Sequence, residues 1–187
     1  MAMNDLWTDP AMASPAQPRV LVVDHDKRNL AVLARRIGEA GYRVAAADTG
    51  ATAVAELHRR PVDLVVAELY MPGIDGAELA AVIRRESAWR DLPVMLITGR
   101  SKPEGAVRAY AAGADDVILK PFHFEVLFAR MARRLTRVRS LYALRHDNAA
   151  LDARVVTRSI ELRELRERFL ASELERRRLE SLVQRVA

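Results

Sequence analysis

One acidic residue, Glu68, stands where an apolar run stops and a turn begins. The run is Val62–Ala67, and the turn that follows contains Pro72, Gly73 and Gly76. A carboxylate in such a place can act as a nucleophile, bind a cation or pair with a basic side chain. Which of these roles Glu68 takes depends on the side chains that the fold brings to it.

Three other polar residues end short apolar runs in the same way, namely Asp24, Thr98 and Lys120. Each run is bounded by Pro, Gly or Asp, which is typical of strands that are buried on both faces of a parallel sheet. Five such runs occur along the chain: Val20–Val23, Tyr42–Ala47, Val62–Ala67, Val94–Ile97 and Val117–Leu119.

Stretches with helical periodicity separate these runs. Five strands alternating with five helices predict a doubly wound α/β domain with a five-stranded parallel sheet, followed by a long C-terminal helix. In such a fold the ligand site lies outside the carboxyl ends of the strands, where the four polar residues would meet. The helical stretches lie near residues 27–39, 50–59, 76–87, 103–112 and from 123 onward.

Residues 19–138 resemble the receiver domain of bacterial response regulators, the chemotaxis-regulator type among them, which has a flavodoxin-like fold. Five markers occur in the order that the family has, each at a predicted strand end. They are Val22-Val23-Asp24, Met71-Pro72-Gly73, Thr98 after Leu96-Ile97, Ala112-Gly113-Ala114-Asp115-Asp116, and Lys120-Pro121-Phe122.

The resemblance implies a phosphoryl switch. In receivers an Asp takes phosphate from a histidine kinase, two acids hold Mg²⁺, a Lys contacts the phosphoryl oxygens and a Thr or Ser hydroxyl reports their arrival. Asp24, Thr98 and Lys120 match this pattern. Two positions do not match, because Glu68 replaces the nucleophilic Asp and His25 replaces the second acid of the metal site.

Both departures weaken the chemistry. Mg²⁺ requires oxygen ligands in near-octahedral geometry at about 2.0–2.1 Å, and the imidazole of His25 is a poor substitute. Mg²⁺ binding, with Asp24 as its remaining ligand, is therefore expected to be weak or absent, and no cofactor is expected. The extra methylene of Glu68 shifts its carboxylate by more than about 1 Å, which can cost about 100-fold in rate. Phosphorylation is expected to be slow or absent.

Two residues of the predicted site, Asp26 and Glu68, leave alternatives, and Val117 is a further departure from the family pattern. Asp26 could replace the missing acid or cap the following helix, and capping is the preferred interpretation. Val117 stands where receivers usually carry the Tyr or Phe that moves with the Thr. Glu68 either imitates a phosphorylated aspartate by pairing with Lys120, or forms that ion pair without selecting a state.

Residues 139–187 contain no Gly and no Pro, and they predict a coiled coil. With position a at 141 and position d at 144, ten of fourteen core positions are apolar. Asn148 at an a position favours a parallel dimer in one register. Because Arg158, Ser172 and Arg176 interrupt the seam, a helix folded back on its own domain is the alternative. The apolar positions are Leu141, Leu144, Leu151, Val155, Leu162, Leu165, Phe169, Leu179, Val183 and Val186.

Composition excludes several classes of protein. The chain has no Cys, which rules out disulfides, thiolate zinc sites and thiol catalysis. Residues 1–18 predict a disordered leader without the pattern of a signal peptide, and no apolar run is long enough for a membrane span, so a soluble cytoplasmic protein is expected. The net charge of +5 comes without a helix-turn-helix, zinc or RNA-binding signature. Nucleic-acid binding is therefore not expected.

These features predict a pseudo-receiver, an atypical response regulator of a two-component system that is not an enzyme. It would signal through a dimeric C-terminal helix and contacts with a signalling protein, either a histidine kinase or a downstream effector. One alternative is a receiver that retains slow phosphate chemistry at Glu68. Another is the regulatory part of a cyclic-dinucleotide enzyme, such as a diguanylate cyclase or a phosphodiesterase.

Overall fold

The computed structural model describes residues 17–99 and 103–186. The chain divides into two compact units, the first ending at Val138 and the second beginning at Arg139. Most of the predicted leader, residues 1–16, lies outside the described residues. Within the described ranges, no helix combines the length and the low polarity that crossing a bilayer requires.

Five short strands form one parallel sheet in the order β2-β1-β3-β4-β5. This confirms the predicted fold class. The crossover at β1 and β3 is the point where ligands bind in doubly wound sheets. The strands are β1 (Arg19–Val23), β2 (Arg43–Ala47), β3 (Leu64–Glu68), β4 (Val94–Thr98) and β5 (Asp116–Leu119).

The predicted helices are present, two of them with the predicted bounds and three with one end that differs by one or two residues. Helix α3 ends earlier than predicted, and a 3₁₀ turn at Ser87–Trp89 follows it. Helix α5 continues without a break across the boundary between the units, as the lack of helix-breaking residues predicts. The helices are α1 (Lys27–Glu39), α2 (Gly50–Arg59), α3 (Gly76–Arg85), α4 (Pro103–Ala111) and α5 (Phe124–Val186).

Alternate residues of the strands contribute to two separate hydrophobic clusters. Leu21 and Val65 belong to the cluster formed with α2, α3 and α4, whereas their neighbours Val20 and Leu64 belong to the cluster with α1 and α5. Side chains alternate across a strand, so the two clusters lie on opposite faces of the sheet. Strands β1, β3 and β4 are thereby held between helical layers, which fixes their carboxyl ends.

Strand β2 does not fit the prediction that all five runs are buried on both faces. Arg43 and Ala46 are exposed, and only Ala47 is buried. The reason is topological, since β2 pairs with β1 alone and lies at the edge of the sheet. An apolar run by itself does not show whether a strand is central or at an edge.

Candidate functional site

The carboxyl ends of four strands meet at one edge of the sheet and carry the polar residues that the sequence marks. Asp24 follows β1, Glu68 is the last residue of β3, Thr98 is the last residue of β4, and Lys120 follows β5. The fold brings Lys120 within ion-pair distance of both Asp24 and Glu68. Thr98 is fully buried, and its backbone carbonyl accepts a 2.8 Å hydrogen bond from the backbone N–H of Lys120.

Glu68 and Lys120 form a close ion pair. The Nζ of Lys120 lies 2.5 Å from Oε2 of Glu68, and the Glu68 side chain is only 9% exposed. The other carboxylate oxygen, Oε1, accepts a 3.2 Å hydrogen bond from the backbone N–H of Leu69. Both oxygens of the acid therefore have partners, and charge-assisted bonds of this kind are strong in a partly dehydrated site.

Asp24 is a second buried carboxylate beside this pair. Its side chain is 1% exposed, and its Oδ1 accepts a 2.9 Å hydrogen bond from the backbone N–H of Asp26. Its Oδ2 is buried and has no hydrogen-bond partner among the residues that the structure describes. The Nζ of Lys120 is 3.9 Å from Oδ2. One ammonium group therefore faces two carboxylates.

Asp26 serves the first helix. Its Oδ1 accepts hydrogen bonds from the backbone N–H groups of Arg28, at 2.8 Å, and Asn29, at 3.2 Å, which caps α1. The bonds from Asn29 and then Arg28 hold the pKa of the Asp26 carboxyl below its ordinary value. The predicted capping role of Asp26 is confirmed. The alternative, that Asp26 replaces the missing acid of the pocket, has no contact to support it.

His25 lies next to the buried acid and is open to solvent. Its side chain is 47% exposed, and its Nδ1 is 3.7 Å from Oδ1 of Asp24. That separation is too long for a hydrogen bond. The position that would carry the second metal-binding acid in a receiver therefore holds a half-exposed imidazole.

The side chains present do not fit Mg²⁺. This ion takes oxygen ligands, and among the described residues the buried side-chain oxygen that lacks a hydrogen-bond partner is Oδ2 of Asp24. The carboxylate of Glu68 is engaged by Lys120, and His25 offers nitrogen. Across residues 17–99 and 103–186, no group of three or more His, Cys, Asp and Glu side chains is arranged to hold a metal ion.

Two glycines shape the turn that follows Glu68. Gly73 has a φ of 72°, a left-handed conformation that glycine adopts without strain. At Gly76, the first residue of α3, a Cβ atom would lie 2.4 Å from the carbonyl oxygen of Glu68. Helix α3 can therefore begin directly against the end of β3 only because residue 76 has no side chain.

Val117 occupies the place of the aromatic residue expected in receivers. It is buried in the cluster formed with α2, α3 and α4. Its side chain is short and has no ring that could swing between an inward and an outward position.

Contacts that join α3 and α4 were not predicted from the sequence. The carboxylate of Asp75 caps α3 by accepting from the backbone N–H of Glu78, and its other oxygen accepts a 2.6 Å bond from Nη2 of Arg108 in α4. The Asp75-to-Glu78 spacing is that of a capping box and could have indicated the cap. No local pattern indicates Arg108, which is 33 residues further along the chain.

In the second unit, the predicted seam forms an exposed apolar face of α5. Its described apolar residues are between 41% and 66% exposed in the single chain: Leu141, Leu144, Leu151, Val155, Leu162, Leu165 and Phe169. Asn148 is also exposed. The side chains of Leu179, Val183 and Val186 lie outside the described part of the chain.

Two of the residues that interrupt the seam form ion pairs with acids on the same helix. Arg158 pairs with Glu161, and Arg176 pairs with Glu173, each at 3.3 Å along the same helix. Such pairs stabilise a helix by only about 0.2–0.5 kcal/mol. They nevertheless mean that neither Arg brings an unbalanced charge to the seam.

A buried acid, a lysine and a hydroxyl residue at the carboxyl edge of a parallel sheet with this strand order define a domain of the receiver class. The family model for the response regulator receiver domain matches residues 20–132, more than half of the chain. The chain belongs to this family.

Relatives of several kinds share the domain. The transcriptional regulatory protein TcrA of Mycobacterium tuberculosis is 39% identical over 119 residues, which are 64% of this chain and 46% of TcrA. A Vibrio cholerae protein named "Probable cyclic di-GMP phosphodiesterase" is 32% identical over 162 residues, which are 87% of this chain and 34% of that protein. The chain thus spans half or less of the length of these relatives.

Solved structures agree on the fold. The structure of the Vibrio cholerae chemotaxis protein CheY4 superimposes with a TM-score of 0.60 at 28% sequence identity. The superposition covers 63% of this chain and 98% of CheY4. The first unit is therefore similar to a whole single-domain receiver.

Proposed function

We propose that this receiver signals without a phosphorylation cycle of its own and acts through contacts with other proteins. The observation that carries the proposal is the ion pair between Glu68 and Lys120, in which Oε2 and Nζ are 2.5 Å apart. In a working receiver the acid must attack phosphorus and the lysine must contact the phosphoryl oxygens. Here each group already has the other as its partner.

Two further features support this proposal. Asp24 and His25 provide a poor site for Mg²⁺, because only one of the two offers oxygen. Val117 replaces the aromatic side chain of the usual switch. The proposed role is that of a signalling module and not of an enzyme, with a histidine kinase or a downstream effector as partner and the cytoplasm as the expected location.

The function of the ion pair can be tested by NMR of the full chain. If Glu68 imitates a phosphorylated aspartate, Glu68→Gln should shift backbone amide resonances in α4 and β5 as well as beside the site. Shifts confined to residues near Glu68 and Lys120 would instead indicate an ion pair that selects no state. Arg35→Gln is a matched control, because it removes an exposed ion pair with Glu39 on α1.

We further propose that the exposed face of α5 is covered by a second copy of the chain in a parallel coiled coil. Met131 and Leu135 are buried in the first unit, and their stripe continues through Val138 and Tyr142. This stripe is out of phase with the seam that begins at Leu141. Discontinuities of this kind locally overwind or unwind a coiled coil. Residues 138–142 are therefore the proposed coupling point between receiver and coil.

Insertions after Ser140 test this coupling. Seven residues preserve the heptad phase, whereas four shift it by about 50°. The chain contains no Cys, so Arg137→Cys introduces a single reporter on an exposed position of α5. We expect the rate of disulfide formation between two copies to change with the four-residue insertion and to stay nearly the same with the seven-residue insertion. Equal rates of disulfide formation in the protein without an insertion and in both insertion variants would show that the helix is only a tether.

A second candidate function is the regulation of a cyclic-dinucleotide enzyme. The observation that favours it is the match to the Vibrio cholerae phosphodiesterase, which covers 87% of this chain. The match is 162 residues long, and the first unit ends at Val138, so the match must extend into the second unit. A coding sequence that continues from the coil into a catalytic domain would support this function. If no catalytic domain follows and a separate protein binds the coil, signalling through protein contacts is favoured.

A further inference from the structure

The two residues that follow Glu68 both reach helix α4. At Gly105, in the first turn of α4, a Cβ atom would lie 2.9 Å from the hydroxyl oxygen of Tyr70 and 3.5 Å from Cδ2 of Leu69. Gly105 and Leu69 are buried, and Tyr70 is half-buried. Helix α4 can therefore approach the end of β3 this closely only because residue 105 has no side chain.

A hydrogen bond joins this contact to the acid of the site. The backbone N–H of Leu69 donates to Oε1 of Glu68 at 3.2 Å, while Oε2 of the same carboxylate is held by Lys120. A change in the charge or the position of this carboxylate therefore alters the bond at the Leu69 amide, one residue before Tyr70. Because side chains occupy discrete rotamers, a small rotation of the backbone at this point can move the Tyr70 ring onto or away from Gly105.

Helix α4 has a second attachment to the segment that follows β3. Nη2 of Arg108 donates a 2.6 Å hydrogen bond to Asp75, the residue that caps α3. Arg108 is exposed, and ion pairs of exposed side chains stabilise a protein only weakly. Asp75 is also further along the chain from Glu68 than Tyr70 is. Tyr70 is thus better placed than Arg108 to pass a change at Glu68 to the helix.

We propose that Tyr70 is the positioning residue that couples the carboxylate of Glu68 to helix α4. Val117 stands in β5 where receivers usually carry the aromatic residue that moves with the Thr. Tyr70 contributes an aromatic ring to the same hydrophobic cluster from the end of β3. The proposal rests on the proposed function in one respect, since it needs Glu68 to influence α4, and it holds whether or not the chain takes up phosphate.

Amide NMR spectra of the full chain, with Glu68→Gln introduced into different backgrounds, test the coupling. In the otherwise wild-type chain and in Tyr70→Phe, which keeps the ring, the substitution should shift the amide resonances of α4. In Tyr70→Ala most of these shifts should be lost, because the ring no longer touches Gly105. The matched control is Tyr110→Ala, which removes a tyrosine of α4 that is 52% exposed. It should leave the response of α4 to Glu68→Gln unchanged.

Gly105→Ala tests the contact from the side of the helix. In the wild-type background the added methyl group would meet the Tyr70 hydroxyl, so the thermal midpoint should fall and the amide resonances of Leu69 and Tyr70 should shift. Alanine is otherwise the better helix residue. In the Tyr70→Ala background the same substitution should therefore raise the midpoint. This reversal of sign reports the contact without any change at Glu68.

The proposal is overturned if Glu68→Gln shifts the α4 resonances as much in Tyr70→Ala as in the wild type, a result that leaves state selection by Glu68 intact. It is also overturned if Gly105→Ala raises the midpoint in both backgrounds, since Tyr70 then does not contact α4. A reversal of sign without any α4 shift from Glu68→Gln would overturn the coupling together with the imitation of a phosphorylated aspartate. Circular dichroism identifies a variant that does not fold, and Tyr70→Leu, which removes the ring but fills part of its space, then replaces Tyr70→Ala.

Discussion

The full chain should take up no detectable phosphate from acetyl phosphate in the presence of Mg²⁺. Glu68 is bonded through both carboxylate oxygens, to Lys120 and to the backbone of Leu69. A displacement of about 1 Å from the productive position costs about 100-fold in a positioned reaction, before any loss from the metal site is counted. Gels that retard phosphorylated protein provide the measurement. A Mg²⁺-dependent retarded band that disappears in Glu68→Ala would contradict the prediction.

Substituting aspartate for Glu68 and for His25 should restore phosphate uptake to different extents. Glu68→Asp shortens the side chain but leaves the metal site without its second acid, so little uptake is expected. His25→Asp alone improves the metal site but leaves the acid out of position. The double variant should exceed the wild type by about 100-fold or more, because the two substitutions act on one reaction. If Glu68→Asp alone reaches the level of the double variant, His25 is not an obstacle to metal binding.

The fold could be predicted because it depends on local patterns. Apolar runs such as Val94–Ile97 alternate with amphipathic stretches, and this alternation specifies a parallel sheet with helices on both faces. Strand order is a different matter, because it depends on contacts between distant segments. The edge position of β2 therefore had no local signature. The 3₁₀ turn at Ser87–Trp89 was missed because one turn is too short to show a period.

The residues of the site could be placed from the sequence, but their bonding could not. Each of Asp24, Glu68 and Lys120 ends an apolar run, and parallel strands bring such ends together. The shared use of one ammonium by two carboxylates depends on side-chain positions to within about 1 Å, which no residue pattern specifies. The cap formed by Asp26 was predictable because its partners, Arg28 and Asn29, are two and three residues away.

The family marker at Ala112–Asp116 has a structural role that the sequence alone did not indicate. In the segment Ala112–Asp116, Oδ2 of Asp115 accepts bonds from Nη2 of Arg84, at 2.6 Å, and from the backbone N–H of Val94, at 2.8 Å. Arg84 also donates to the carbonyl of Gly113. The segment therefore fastens α3 to the start of β4 and to the loop before β5. Its match to receivers supports the fold and carries no information on phosphate chemistry.

The full chain should be a parallel dimer through residues 141–186. The exposed apolar face of α5 has no partner within a single described chain, and burial of apolar surface stabilises by about 25 cal/mol per Å². Light scattering should give about twice the mass of one chain for the full protein and the mass of one chain for residues 1–138. A monomeric full-length protein at micromolar concentration would refute the dimer.

Matched substitutions then identify the surface and the register of this dimer. Leu165→Glu places a charge at a d position and should produce monomers. Glu167→Ala, at the f position of the same heptad, should leave the mass unchanged because f positions face away from the seam. Asn148→Leu should raise the thermal midpoint and at the same time broaden the oligomeric state, since a buried Asn favours one register at a cost in stability. If Asn148→Leu raises stability and the protein remains a uniform dimer, residues other than Asn148 specify the register. If Glu167→Ala dissociates the protein as readily as Leu165→Glu, the interface lies on a different face of α5.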